Sequence, residues 1–138
     1  MGSTNNILIP FRFIITVGHL AALLMVTHTR EYNIQASAVG EDNAGDPKHY
    51  MQVATITGFV CFAFDFMGML GGFTLFFPRI NLFHIIVHFI GSVYTCWFIS
   101  YSFPYETIWY IVGFTNITTA AVEIAMLIAI FVFKIVVY

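Results

Sequence analysis

Charge is what this sequence has least of. Only 12 of its 138 residues, 9%, are Asp, Glu, Lys or Arg, against about a quarter in a soluble domain. A chain so poor in charge cannot clothe a water-facing surface, so a soluble globular protein is excluded. There is no basic run and the formal net charge is −2, so the Lys/Arg density that grips nucleic-acid phosphates is missing and no nucleic-acid partner is expected. The two cysteines, Cys61 and Cys96, both fall in apolar runs and read as reduced packing residues rather than a disulfide framework. The sequence also lacks a phosphate-cradling glycine loop, a nucleophile–base pair and a haem-attachment motif, so neither an enzyme nor a cofactor is expected. Polar and apolar residues do not alternate, which excludes a membrane β-barrel.

What remains is apolar: 59% of the residues are hydrophobic and 16 are Phe. A membrane-spanning helix needs about 20 such residues, and four stretches qualify, at about residues 7–27, 51–77, 82–101 and 108–133. They must be helical, because backbone N–H and C=O groups in lipid have to be satisfied within the segment. The expected fold is therefore all-α, a polytopic membrane protein with one antiparallel bundle of four transmembrane helices over residues 1–138. Residues 28–50 form the main soluble segment and hold half of the charged side chains. The second and third loops, around Pro78 and Pro104, are short, which makes helices two, three and four an antiparallel hairpin series. The small-x-small triplet Ala36-Ser37-Ala38 lies too far beyond the first apolar run to be a signal cleavage site, so that run is read as a retained span.

Four spans put the N-terminus, the second loop and the C-terminus on one side. That side holds Arg12, Arg79 and Lys134 against Arg30 and Lys48 on the other, which favours cytoplasmic termini. Trp97, Tyr101, Tyr105, Trp109 and Tyr110 cluster about the third loop as an interfacial aromatic belt. Asn116-Ile117-Thr118 has the glycosylation pattern but lies within the fourth span, so it should be unmodified.

Ionisable side chains inside spans are costly and must find partners in the bundle interior. His19, Asp65, His88 and Glu123 come one from each span, each near the middle of its run, and are expected to meet as a midplane polar cluster. Helical spacing supports this. Arg12, Thr16, His19 and Leu23 share one face; so do His84, His88, Gly91 and Thr95; so do Gly113, Asn116, Ala120, Glu123 and Leu127. In the second span Ala54, Gly58, Cys61, Asp65, Gly68 and Gly72 form a seam of small and polar residues, with Gly58, Cys61, Gly68 and Gly72 as the expected helix-packing positions. The bland reading of the cluster is interhelical glue. The sharper one is a small proton or ion carrier. A metal set is not expected: only His84-x-x-x-His88 has ligand spacing, and His84 is placed nearer the edge. An accessory subunit of a larger membrane complex would have the same composition.

An ordered set of residues then carries a resemblance over nearly the whole chain: Arg12-Phe13 before His19-Leu20, Asn33-Ile34-Gln35-Ala36, Asp65, His88, Trp109-Tyr110-Ile111, and Glu123 followed by Lys134. The chain resembles the transmembrane protein 107 family of tetraspan proteins of the ciliary transition zone. The resemblance implies a non-catalytic protein at that membrane, which meets other transition-zone membrane proteins through helix contacts in the bilayer and supports ciliary gating and cilium assembly. Its oligomeric state is left open. Members can end in a run of lysines, whereas Lys134 stands alone here, so no basic tail is carried over.

Overall fold

The computed structural model describes residues 2–37 and 46–134. Gly40, Glu41, Asp42 and Gly45 of the first loop lie outside the described residues, as do Ala38 and residues 135–138. Four helices long and apolar enough to cross a membrane account for most of the chain: α1 (Gly2–Ser37), α2 (Pro47–Leu70), α3 (Pro78–Ser100) and α4 (Thr107–Phe131). The all-α four-span membrane fold expected from the sequence is the one found. Pro47 and Pro78 open their helices, at the position where a missing N–H is not felt. The Asp46 side chain caps α2 by accepting from the Lys48 N–H at 3.0 Å.

Helix boundaries move most at the first loop. α1 has 36 residues, about 54 Å at 1.5 Å per residue, so it runs well past the roughly 30 Å of a hydrocarbon core. The segment 28–37 is therefore helix rather than loop. The extension has a partner. Asn33 Nδ2 donates to the carbonyl oxygens of Phe98 and Phe103 at 2.9 and 2.8 Å, and the Ser37 hydroxyl accepts from the Tyr105 N–H at 3.0 Å. The far end of α1 thus clasps the end of α3 and the third loop. Glu31 reaches Lys48 at the start of α2 at 3.2 Å, an exposed pair worth at most about 1 kcal/mol. Tyr105 leaves the expected aromatic belt: it is buried and packs edge-on against Tyr50. Trp97, Tyr101 and Tyr110 remain exposed at the rim. Cys61 is buried as expected, but Cys96 is exposed on the outer face; both are free thiols.

Around the bundle α1 packs most extensively on α3 and also on α2, while α4 packs on α2 throughout and on α3 through its first half. α2 and α3 are joined by a short turn, yet they lie diagonally rather than side by side. The expected hairpin series holds for α3 and α4 and is corrected for α2 and α3. The tightest pair is α1 with α3, two helices running in the same direction, with Arg12 level with Asn81 and His19 level with His88.

α4 carries a π-helical stretch at Val112–Ile117. The Thr115 and Thr118 hydroxyls donate to the carbonyls of Ile111 and Gly113, supporting the widened turns. Thr115, Asn116, Thr119, Ala120 and Glu123 all face inward as a result. α3 ends in a six-residue closure: Phe103 N–H donates to Phe98 O and Ser102 N–H to Ile99 O, with Ser102 at φ 47°. Glycine usually takes that left-handed position. Ser102→Gly is expected to raise the bundle's stability by roughly 0.5–1 kcal/mol, the relief of left-handed strain less the added chain entropy. Unfolding in mixed micelles followed by circular dichroism checks it.

Candidate functional site

The inner faces that helical spacing predicts for α1 and α3 are buried, and on α4 Asn116, Ala120 and Glu123 are, while Gly113 and Leu127 are only half-buried. Arg12, Thr16 and His19 of α1, Asp65 of α2, His84 and His88 of α3 and Asn116, Thr119 and Glu123 of α4 are all at 2% exposure or less. They form one continuous polar core in two tiers.

The tier nearer the second loop is centred on an ion pair between Arg12 and Glu123. Arg12 Nη1 also donates to Thr74 Oγ1 at 3.1 Å and to Asn81 Oδ1 at 2.9 Å. The Thr74 hydroxyl donates to Glu123 Oε1 at 3.0 Å. Asn81 Nδ2 turns to the Leu75 carbonyl at 2.7 Å, tying the group to the turn between α2 and α3. A guanidinium in lipid needs this many acceptors, and the turn supplies them.

The second tier belongs to the imidazoles. His88 Nδ1 lies 3.0 Å from His19 Nδ1, so one ring donates its N–H and the other accepts. His88 Nε2 stands 3.2 Å from Asp65 Oδ2, which also accepts from the Thr119 hydroxyl at 2.9 Å. Phe62 stacks on His88 and sets its edge against His19. His84 joins the tiers, with Nε2 3.7 Å from Glu123 Oε1 and Nδ1 3.8 Å from Asp65 Oδ1.

Of the four residues expected to meet, His19, Asp65 and His88 do so directly; Glu123 sits one turn nearer the second loop and reaches them through His84. Arg12, Thr74, Asn81, His84 and Thr119 were not among the expected members. His84 is buried in the cluster, one turn nearer the second loop than His88. With Arg12 buried in an ion pair it no longer counts toward orientation, and Arg79 and Lys134 balance Arg30 and Lys48.

The glycines of the seams serve these side chains. A Cβ on Gly91 would stand 2.7 Å from His19 Nε2, and one on Gly68 would stand 2.6 Å from Glu123 Cδ. A Cβ on Gly58 would meet the Leu23 side chain at 2.6 Å. Gly58, Cys61 and Gly68 therefore face the bundle's own interior. Gly72 departs from the expected packing role: it lies past the end of α2, with open space around it and φ +74°. Gly68→Ala is expected to cost roughly 1–3 kcal/mol, since the new methyl must displace a carboxylate held by Arg12. Gly72→Ala should cost about 1–2 kcal/mol from backbone strain alone. Thermal or denaturant unfolding separates overpacking from strain when each change is also made in a Glu123→Ala background, where Gly68→Ala should lose most of its cost and Gly72→Ala should keep its own.

Toward the first and third loops the polar string gives way to Leu23, Val26, Met51, Ala54, Phe98 and Ile108, all buried. The outer face is apolar and aromatic: Ile14, Leu70, Phe76, Tyr110, Phe114 and Phe131 are all more than half exposed.

Fold and core together define a class: a polytopic membrane protein of four helices, tied through a buried ionic and imidazole core and bare of polar groups on most of its lipid face. The family model for transmembrane protein 107, described as "Transmembrane protein", matches residues 8–127, and the chain belongs to that family. It is 31% identical to transmembrane protein 107 of Rattus norvegicus over 133 residues, 92% of this chain and 93% of the relative. To the Homo sapiens protein of that name it is 28% identical over 137 residues, 97% of each chain. No solved structure matches it.

Proposed function

We propose that this protein is a non-enzymatic organiser of the ciliary transition-zone membrane, assembling neighbouring membrane proteins and so supporting ciliary gating and cilium formation. The observation that carries the reading is how the chain divides its surface. The ionisable side chains in the middle of the spans, Arg12, His19, Asp65, His84, His88 and Glu123, all face one another inside the bundle, and the described loops are short. Partners are then met in the bilayer, against exposed apolar side chains such as Phe76, Tyr110 and Phe114. The small-residue seam is not the partner surface in this reading, because Gly58 and Gly68 are occupied by the protein's own Leu23 and Glu123. Membership of the transmembrane protein 107 family, whose description names no reaction, supports the same conclusion.

The test is localisation. A fluorescently tagged copy in a ciliated cell, imaged against a basal-body marker, should form a narrow band just distal to the basal body. A diffuse plasma-membrane or mitochondrial pattern would sink the proposal. Proton conduction is disfavoured by the plug around Leu23, Val26 and Met51. Purified protein in liposomes should accordingly show no pH-driven flux above protein-free vesicles.

A further inference from the structure

We propose that Asp65, His84 and His88 form a divalent transition-metal site, zinc being the natural occupant, that staples α2 to α3. The inference stands apart from the transition-zone reading.

The ligand atoms are already assembled. One donor atom from each of the three residues lies within 4.8 Å of the other two, and all three side chains are buried. His88 Nε2 to Asp65 Oδ2 is 3.2 Å and His84 Nδ1 to Asp65 Oδ1 is 3.8 Å. Bonds of about 2.0–2.2 Å in a tetrahedral site set donors about 3.3–3.6 Å apart. His88 and Asp65 stand near that spacing, while His84 Nδ1 lies farther out, 3.8 Å from the other carboxylate oxygen of Asp65, and must move inward to ligate. His84 and His88 are four residues apart on one helix face, the spacing by which two imidazoles chelate one ion.

The second observation is what these atoms lack. Asp65 Oδ1, both ring nitrogens of His84 and His88 Nε2 are buried without a hydrogen-bond partner. Three of these, Asp65 Oδ1, His84 Nδ1 and His88 Nε2, face one another, and leaving them unpaired is costly. A cation between them satisfies all three. It also neutralises Asp65, which accepts from the Thr119 hydroxyl, while the neighbouring Glu123 is already matched by Arg12.

The outer contacts fit ligation as well. With Nε2 on the metal, His88 directs Nδ1–H at His19 Nδ1, 3.0 Å away. With Nδ1 on the metal, His84 Nε2 faces Glu123 Oε1 at 3.7 Å, beyond hydrogen-bond reach, so an outer contact of this kind is made by His88 alone. Metal-bound histidines characteristically give their second N–H to such an acceptor. Imidazole and carboxylate donors with no thiolate suit zinc and its first-row neighbours. The role is structural: α2 and α3 lie diagonally without close backbone packing, and an ion held by one residue of α2 and two of α3 would bridge that gap.

The experiment uses the untagged full chain in nanodiscs, stripped with chelator and titrated with Co2+, a spectroscopically visible stand-in for Zn2+. We expect about one Co2+ per chain, visible ligand-field bands of a four-coordinate N/O site, and displacement by Zn2+. Asp65→Asn, His84→Gln and His88→Gln should each weaken binding at least tenfold. His19→Phe should weaken it about 10–100-fold through loss of the outer contact. Zn2+ should raise the melting temperature of the parent chain and leave that of His84→Gln unmoved. The proposal is overturned if the folded parent takes up no Co2+. It is also overturned if His84→Gln binds as the parent does, or if removing the exposed His28 and His49 abolishes binding, which would reveal an adventitious surface site only.

Discussion

Arg12→Leu should destabilise the bundle by about 3–5 kcal/mol, the usual result of removing one partner of a buried ion pair and leaving the other charge uncompensated. The structure says why the loss is large. Arg12 holds Glu123, Thr74 and Asn81 together, so α1, α3, α4 and the turn after α2 share one guanidinium. The informative variant is the double one. Replacing Glu123 by Leu as well removes the stranded carboxylate, and swapping a buried pair for apolar residues is commonly neutral or better. The double variant is therefore expected to recover most of the loss. A double-mutant cycle from unfolding in bicelles reads the coupling directly, and additive single effects would show that the pair does not exist.

The second large effect is expected at Gly91. Leu there must enter space held by the His19 ring, with even its Cβ at 2.7 Å from Nε2. Because α1 and α3 form the closest helix pair, the helices must part, and the hydrogen bond between His19 and His88 goes with them. The expected cost is at the upper end of overpacking, about 3 kcal/mol. Gly18→Leu is the matched control. It sits on the same helix as His19 but faces outward, with nothing near its would-be Cβ, so its effect should be near zero or slightly favourable through helix propensity.

Much of this architecture is legible in the sequence, because lipid simplifies the reading. Length and hydropathy give the spans, and the 3.6-residue period gives the inner face of each. The seam Arg12, Thr16, His19, Leu23 is buried in full, as is His84, His88, Gly91, Thr95. Which helix lies beside which is another matter. The short turn at Pro78 argues for α2 beside α3, yet the polar side chains between them hold that pair apart on the diagonal and bring the parallel helices α1 and α3 together. No spacing rule links residues on different helices, so Arg12 reads as inward-facing but without a partner until Glu123 is seen opposite it. Asn81 reads as a turn residue and Thr74 as part of the second span for the same reason. Gly68 and Gly72 look alike in a GxxxG step, but α2 ends at Leu70, so one makes room for a carboxylate and the other makes a turn. The run-on of α1 to Ser37 is hidden because its partners, the carbonyls of Phe98 and Phe103, are backbone groups.

The central claim is that an imidazole from α1 and one from α3 meet in the bundle core. Nitrogen-15 NMR of histidine-labelled protein in lipid tests it most directly. The account predicts a coupling carried across an N–H···N hydrogen bond between His19 and His88, lost in His19→Phe and retained in His28→Ala and His49→Ala. Five independent histidine signals, with no coupled pair and with His19 and His88 exchanging with solvent as His28 and His49 do, would contradict it.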